Sequence, residues 1–247
     1  MDFKMMFYLF IMYSFIGWFI EIIDNVATDK KFVNRGFLIG PYCPIYGVGG
    51  TLIMLTLKKY MDDTIVLFIM SVVLCASIEY LTSFLMEKIF QTRWWDYTKY
   101  RFNINGRICL ETMWVFGVLA ILVLKVVNPV VISFLESWPT NVYNAVFYVL
   151  ITIFVIDVVV STIIIANVKK TAEDVTKGRK KDSTEEITKY VKKTLLSKSL
   201  LSKRIVWAFP NFQTMIKKIT TKASKFKNKF IKKDKKEKKD KKDKKHK

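Results

Sequence analysis

The sequence predicts an all-α, polytopic transmembrane bundle of five helices with a basic, partly helical cytoplasmic tail, and three observations carry this. Apolar residues make up 51% of the 247 positions and the mean hydropathy is positive, which is unusual for a soluble domain of this length. Five segments approach the roughly 20 apolar residues that a helix needs to cross a hydrocarbon core: 5–23, 42–57, 65–85, 108–127 and 143–168. Charge is segregated: residues 1–168 hold 12 Lys/Arg and 12 Asp/Glu, residues 169–247 hold 29 and 9, and the formal net charge of +20 therefore sits in the tail. The expected organisation is a transmembrane domain (1–168), a basic amphipathic region (169–231) and a disordered Lys-rich tail (232–247).

The first segment has neither a basic n-region nor a small-residue cleavage site after its apolar run, so it reads as a retained membrane helix. Glu21 and Asp24 close it. Next comes Asn34 to Gly50, with Arg35, five glycines and the two prolines Pro41 and Pro44 at the mouth of the shortest apolar segment. Irregular backbone survives in lipid only when buried in protein or lining a cavity. This stretch is either a pore-entry element with a half-helix or a Pro/Gly turn packed tightly against its neighbours.

The third segment carries Glu79, with Ser83 and Glu87 following at spacings of four, which puts all three on one helical face. An ionised carboxylate in hydrocarbon costs several kcal/mol, so Glu79 has to face protein or water, be paired, or be protonated. Asp157 raises the same question in the fifth segment, with Ser161 one turn on. Glu111 opens the fourth segment. Between the third and fourth lies Arg93-Trp94-Trp95-Asp96-Tyr97, followed by Asn103 to Arg107. Trp94, Trp95, Tyr97 and Tyr100 suit an interfacial aromatic belt, while Arg93, Asp96, Asn103, Asn105 and Arg107 could instead form a polar network at a mouth or gate. Asn105-Gly106 predicts a tight turn into the fourth helix.

Positive residues in short loops orient the bundle. With five crossings and the tail inside, the inner loops hold Lys30, Lys31, Arg35, Lys88, Arg93, Lys99, Arg101 and Arg107, against Lys4, Lys58, Lys59 and Lys125 outside, eight to four. If the second segment re-entered without crossing, the balance would fall to six against six. The expectation is an N-terminus outside and a C-terminus in the cytoplasm. The ends carrying Glu21, Glu79, Glu87 and Glu111 then meet on the cytoplasmic side, within reach of Arg35, Arg93 and Arg107.

Catalytic and metal-binding grammar is missing. The sequence has no phosphate-binding loop, no His-Glu-x-x-His, no Gly-x-Ser-x-Gly and one histidine, His246, in the tail. Cys43, Cys75 and Cys109 stand singly and read as small buried hydrophobes. No metal, cofactor or catalytic residue is expected, and an enzyme would have to work with carboxylates alone.

Several chained motifs resemble a known family: Phe15-Ile16-Gly17-Trp18 with Glu21; Asn34 to Pro41 with Cys43-Pro44-Ile45-Tyr46-Gly47; Glu79-Tyr80 with Ser83 and Glu87; Trp94-Trp95-Asp96-Tyr97; and Asn105-Gly106-Arg107-Ile108 with Phe116-Gly117. Over residues 5–127 the chain is similar to the bacterial membrane proteins labelled putative ABC-transporter type IV permeases. The resemblance implies a permease-like subunit for a small molecule that lacks its own ATPase and works with a separate one. Candidate pathway or polar-cluster residues are Glu21, Asn34, Arg35, Glu79, Ser83, Glu87, Asp96, Asn105, Arg107, Glu111 and Asp157.

In the tail, Ser183 and Glu186 form a capping-box pattern ahead of Ile187, Tyr190, Val191, Thr194 and Leu195, and a second apolar stripe runs from Phe212 to Phe230 among lysines. Basic residues around an apolar stripe suit a helix lying on anionic lipid. Aromatics for base stacking are missing after Phe230, which disfavours nucleic acid as a partner. Two other functional readings stay open: a membrane-anchored scaffold whose tail binds anionic lipid, and a carboxylate-based membrane enzyme. Homo-oligomerisation is compatible with all of them.

Overall fold

The computed structural model describes residues 2–30, 34, 36–90, 93–178 and 193. Its helices are α1 (Phe3–Asp29), α2 (Pro44–Leu57), α3 (Thr64–Phe90), α4 (Leu110–Leu122), α5 (Asn128–Glu136) and α6 (Thr140–Gly178). A π turn, Val123–Val127, joins α4 to α5 without a break, so the bundle has five helical bodies, as the sequence predicts. The turn sits just before Pro129, whose missing N–H and bulky ring disturb the helical ladder there. The fourth membrane helix thereby runs on past Val127, where the sequence reading ended it.

Four of the bodies are long and apolar enough to cross a membrane: Phe3–Ala27, Thr64–Ile89, Leu110–Glu136 and Thr140–Asn167. The exception is α2, whose 14 residues rise only about 21 Å against a core of about 30 Å. It packs along α1. Cys43 N–H donates to the Ser14 carbonyl at 2.9 Å, Tyr46 packs on Gly17, Gly47 on Ser14 and Gly50 on Tyr13, so α2 runs antiparallel to α1.

Local chemistry sets the helix ends. Asp2 caps α1 by accepting from Met5 N–H at 3.0 Å, and Lys30 ends it in the left-handed region at φ 52°. Asp63 caps α3 by accepting from Ile65 and Val66 N–H at 3.1 and 3.0 Å. The two ends of the bundle differ in character. At the end holding the start of α1, all five bodies meet in one apolar cluster that includes Met5, Leu9, Leu57, Leu67, Leu124, Leu135 and Phe147. Toward the other end lie the buried polar residues Glu79, Ser83, Arg107, Asp157 and Ser161.

The chain divides into two compact units, Met1–Ile89 with Arg93–Ile164, and Phe90–Thr92 with Ile165–Lys247. The described part of the second is Phe90, the end of α6 and Lys193. The amphipathic patterns from Ser183 to Phe230 and the Lys-rich tail of 232–247 lie outside the described residues.

The α1–α2 contact is the tightest in the first unit. A Cβ on Gly47 would stand 2.2 Å from Ser14 Oγ and 2.6 Å from the Phe10 carbonyl oxygen, whereas one on Gly49 would meet nothing within 4 Å. Gly47→Val should therefore cost about 1–3 kcal/mol through overpacking, and Gly49→Ala should be neutral. Thermal unfolding of the two variants in the same detergent checks this contrast.

Candidate functional site

Two constructions fill the polar half of the bundle. The first is the chain between α1 and α2, which leaves α1 at Lys30 and returns to the level of Ser14. Asn34 closes it locally: its Oδ1 accepts from Gly36 N–H at 3.0 Å and its Nδ2 donates to the Ile39 carbonyl at 3.3 Å. Asp157, near the middle of the α6 span, then secures the segment. Its Oδ1 accepts from Ile39 N–H at 2.9 Å and Ser161 Oγ at 2.7 Å, and its Oδ2 from Gly40 N–H at 2.7 Å and Tyr42 Oη at 2.6 Å. The carboxylate, 8% exposed, is thus saturated by four donors, two of them backbone amides at a depth where lipid offers no acceptor.

The second construction covers one face of α3. Residues 93–109 form an irregular loop ending in a short antiparallel ribbon, with Asn103 opposite Cys109 and Ile104 opposite Ile108. Its turn is the predicted Asn105-Gly106 pair, with φ of 53° and 66°, the left-handed region that this dipeptide tolerates best. The turn aims Arg107 back at α3. There Arg107 Nη1 donates to Ser83 Oγ at 3.1 Å and Nη2 to Glu87 Oε2 at 2.7 Å, and its guanidinium lies 5.7 and 5.5 Å from the ring centroids of Tyr80 and Phe84. Arg93 Nε reaches the same Glu87 oxygen at 2.8 Å. Trp95 Nε1 donates to the Arg107 carbonyl at 3.0 Å, and Asn105 Nδ2 to Tyr80 Oη at 2.9 Å.

Deeper in the bundle, two carboxylates each accept a tyrosine hydroxyl. Tyr97 Oη donates to Glu79 Oε1 at 3.0 Å, and Tyr46 Oη donates to Glu21 Oε1 at 2.7 Å. Glu79 is 5% exposed, lies within electrostatic reach of Glu21, and keeps its second oxygen, Oε2, buried without a hydrogen-bond partner among the described residues. The Tyr46 ring lies 6.2 Å from that of Phe116. Four chain segments contribute to this centre, namely α1, α2, α3 and the 93–109 loop.

The candidates read from sequence separate accordingly. Asn34 and Asp157 serve one device. Ser83, Glu87, Arg107 and Asn105 share the second network, and Glu21 and Glu79 form the inner pair. Three candidates remain. Asp96 is exposed and holds its own turn, accepting from Thr98 N–H at 3.0 Å with Arg93 Nη1 at 3.8 Å. Glu111 is exposed on the first turn of α4. Arg35 lies outside the described residues. Sequence reasoning missed Tyr46, Tyr42 and Tyr80, and placed Tyr97 in an aromatic belt. The available signal was that Tyr46, Tyr80 and Tyr97 sit inside the motifs above, Tyr80 and Tyr97 directly after Glu79 and Asp96, and that Tyr42 lies between Pro41 and Cys43.

Burial first, then the charge of Glu79 and the hydrogen bond to it, push the Tyr97 phenol above its ordinary value. The fold therefore favours the protonated, neutral phenol, and its stabilisation is complete below the ordinary phenol value of about 10 and lost as pH rises through the raised one. The stability gap between wild type and Tyr97→Phe should stay constant from neutral pH to about pH 10 and shrink above it, as read by thermal unfolding across a pH series. Asp157→Asn replaces an all-acceptor carboxylate with an amide whose NH2 opposes one pair of donors. It should lower stability by about 2–3 kcal/mol and raise the rate at which protease cuts at residues 34–43.

No curated protein and no solved structure matches the chain. A family model, described as putative ABC-transporter type IV, matches residues 8–162, a span that includes α2, the Asn34 turn, both carboxylate groups and Asp157. With its four long apolar helices the protein is a multi-pass membrane protein, and by this match it belongs to the putative ABC-transporter type IV family.

Proposed function

We propose that the chain is the permease-like membrane subunit of a transporter for a small molecule, with nucleotide hydrolysis supplied by a separate chain. The observation that supports it most is the buried Glu79 with the half-buried Glu21 and their two tyrosines, a polar centre between helices in a chain of this family. Intramembrane acids next to irregular backbone are characteristic of transport pathways. In this reading Glu21, Glu79, Tyr46 and Tyr97 border the pathway. Ser83, Glu87, Asn105 and Arg107 hold the loop over its mouth, with Asp96 and Glu111 outside, and the clamp of Asp157 on the Asn34 turn, next to Arg35, keeps the opposite wall in place.

The loop excess of Lys and Arg, eight to four, supports an N-terminus outside and the mouth and C-terminus in the cytoplasm of a bacterial cell. An ATPase would then dock on the 93–109 loop. The basic tail would lie against anionic lipid, each lysine contributing at most about 1 kcal/mol.

Gentle-detergent purification of the tagged full-length protein from its native membrane, followed by identification of co-purifying chains, tests the reading. A stoichiometric nucleotide-binding chain is expected, with ATPase activity that Glu79→Gln lowers at least tenfold. A protein that purifies alone, without ATPase activity, overturns it.

A further inference from the structure

We propose that the Glu21–Glu79 pair is a binding site for one small monovalent cation, a proton or an alkali ion, seated at Glu79 Oε2. Glu79 is buried, lies within electrostatic reach of the half-buried Glu21, and each of the two acids receives a single hydroxyl donor. Glu79 Oε2 receives none among the described residues, although it is closed off from solvent. A buried carboxylate left in that state costs several kcal/mol, so the site calls for a positive charge.

Among the described residues, no Lys or Arg side chain pairs with Glu21 or Glu79. Arg93 and Arg107 both bind the same oxygen of Glu87, and Arg107 also binds Ser83. The titratable groups facing the pair are Cys75 one turn back on α3, Tyr97 of the loop with Cys109 near its hydroxyl, and Tyr46 with Cys43 beside it at the start of α2. None of these side chains can become cationic. The polar atoms of the two acid–tyrosine pairs are all oxygen, which suits a proton or a hard ion. A divalent ion normally takes more carboxylates, and the described residues contain no group of three or more His, Cys, Asp or Glu side chains that could hold one. Coupling of this charge to transport rests on the permease reading above, whereas occupancy of the site does not.

The test is infrared difference spectroscopy of the full-length protein in lipid nanodiscs, titrated with pH in N-methylglucamine, sodium or potassium chloride. A protonated-carboxyl band is expected that Glu79→Gln removes and Tyr97→Phe displaces. If its midpoint is the same in all three salts, the ligand is the proton. If sodium or potassium lowers the midpoint by about one pH unit per tenfold rise in concentration, as one-for-one competition requires, the ligand is that ion. Because the salt series reads the wild type, a Glu79→Gln variant that failed to fold would not block the measurement. A spectrum with no carboxyl band that responds to pH, to either ion or to Tyr97→Phe overturns the site. Such a result alongside a co-purifying ATPase would leave the permease reading standing, and a band in a protein that purifies alone would do the reverse.

Discussion

A backbone that leaves its helix inside a bilayer must find partners for its own amides, because the surrounding hydrocarbon supplies none. In this protein the constraint falls on the chain between α1 and α2, and Asp157 meets it by accepting from Ile39 and Gly40 N–H together with the Tyr42 and Ser161 hydroxyls. Much else depends on that clamp. It holds the segment that returns the chain to Ser14, from where the short α2 can start and still end among the apolar side chains around Met5 and Leu57. A buried acid that would be costly alone is here the acceptor that makes irregular backbone tolerable at this depth.

The two halves of the bundle follow opposite packing logics. Toward one end the helices interlock through aliphatic and aromatic side chains, and glycines let α1 and α2 approach until Gly47 meets the backbone of α1. Toward the other, acids and arginines are sorted by partner. Glu87 takes Arg93 and Arg107 of the 93–109 loop and Asp157 takes amides and hydroxyls. Glu21 and Glu79 are left with one tyrosine each. This unequal sharing, rather than the mere presence of acids, distinguishes the inner pair from the structural ones.

The interplay also explains why a short ribbon belongs in a helical protein. The left-handed conformations of Asn105 and Gly106 reverse the chain within two residues, which brings Arg107 onto the face of α3 that carries Ser83 and Glu87. A Cβ on Gly106 would stand 2.8 Å from Asp96 Oδ1 and 2.5 Å from Thr98 Cγ2, so the turn is also packed against the first part of its own loop. Tyr97 N–H donates to the Gly106 carbonyl at 2.9 Å, and this bond sets the phenol over Glu79.

Hydropathy, helical spacing and turn chemistry by themselves determined the membrane helices, the common face of Glu79, Ser83 and Glu87, and the Asn105-Gly106 turn, since each depends on residues a few positions apart. The same local patterns marked Asn34 and Asp157 as unusual. Only the tertiary structure decided their partners: Asp157 lies 115 to 118 residues from the donors of the turn, and Tyr46 is 25 residues from Glu21. Which acid is saturated and which keeps a free oxygen depends on where those distant donors arrive. That is settled by how five helices and two loops pack, and spacing along the chain does not encode it.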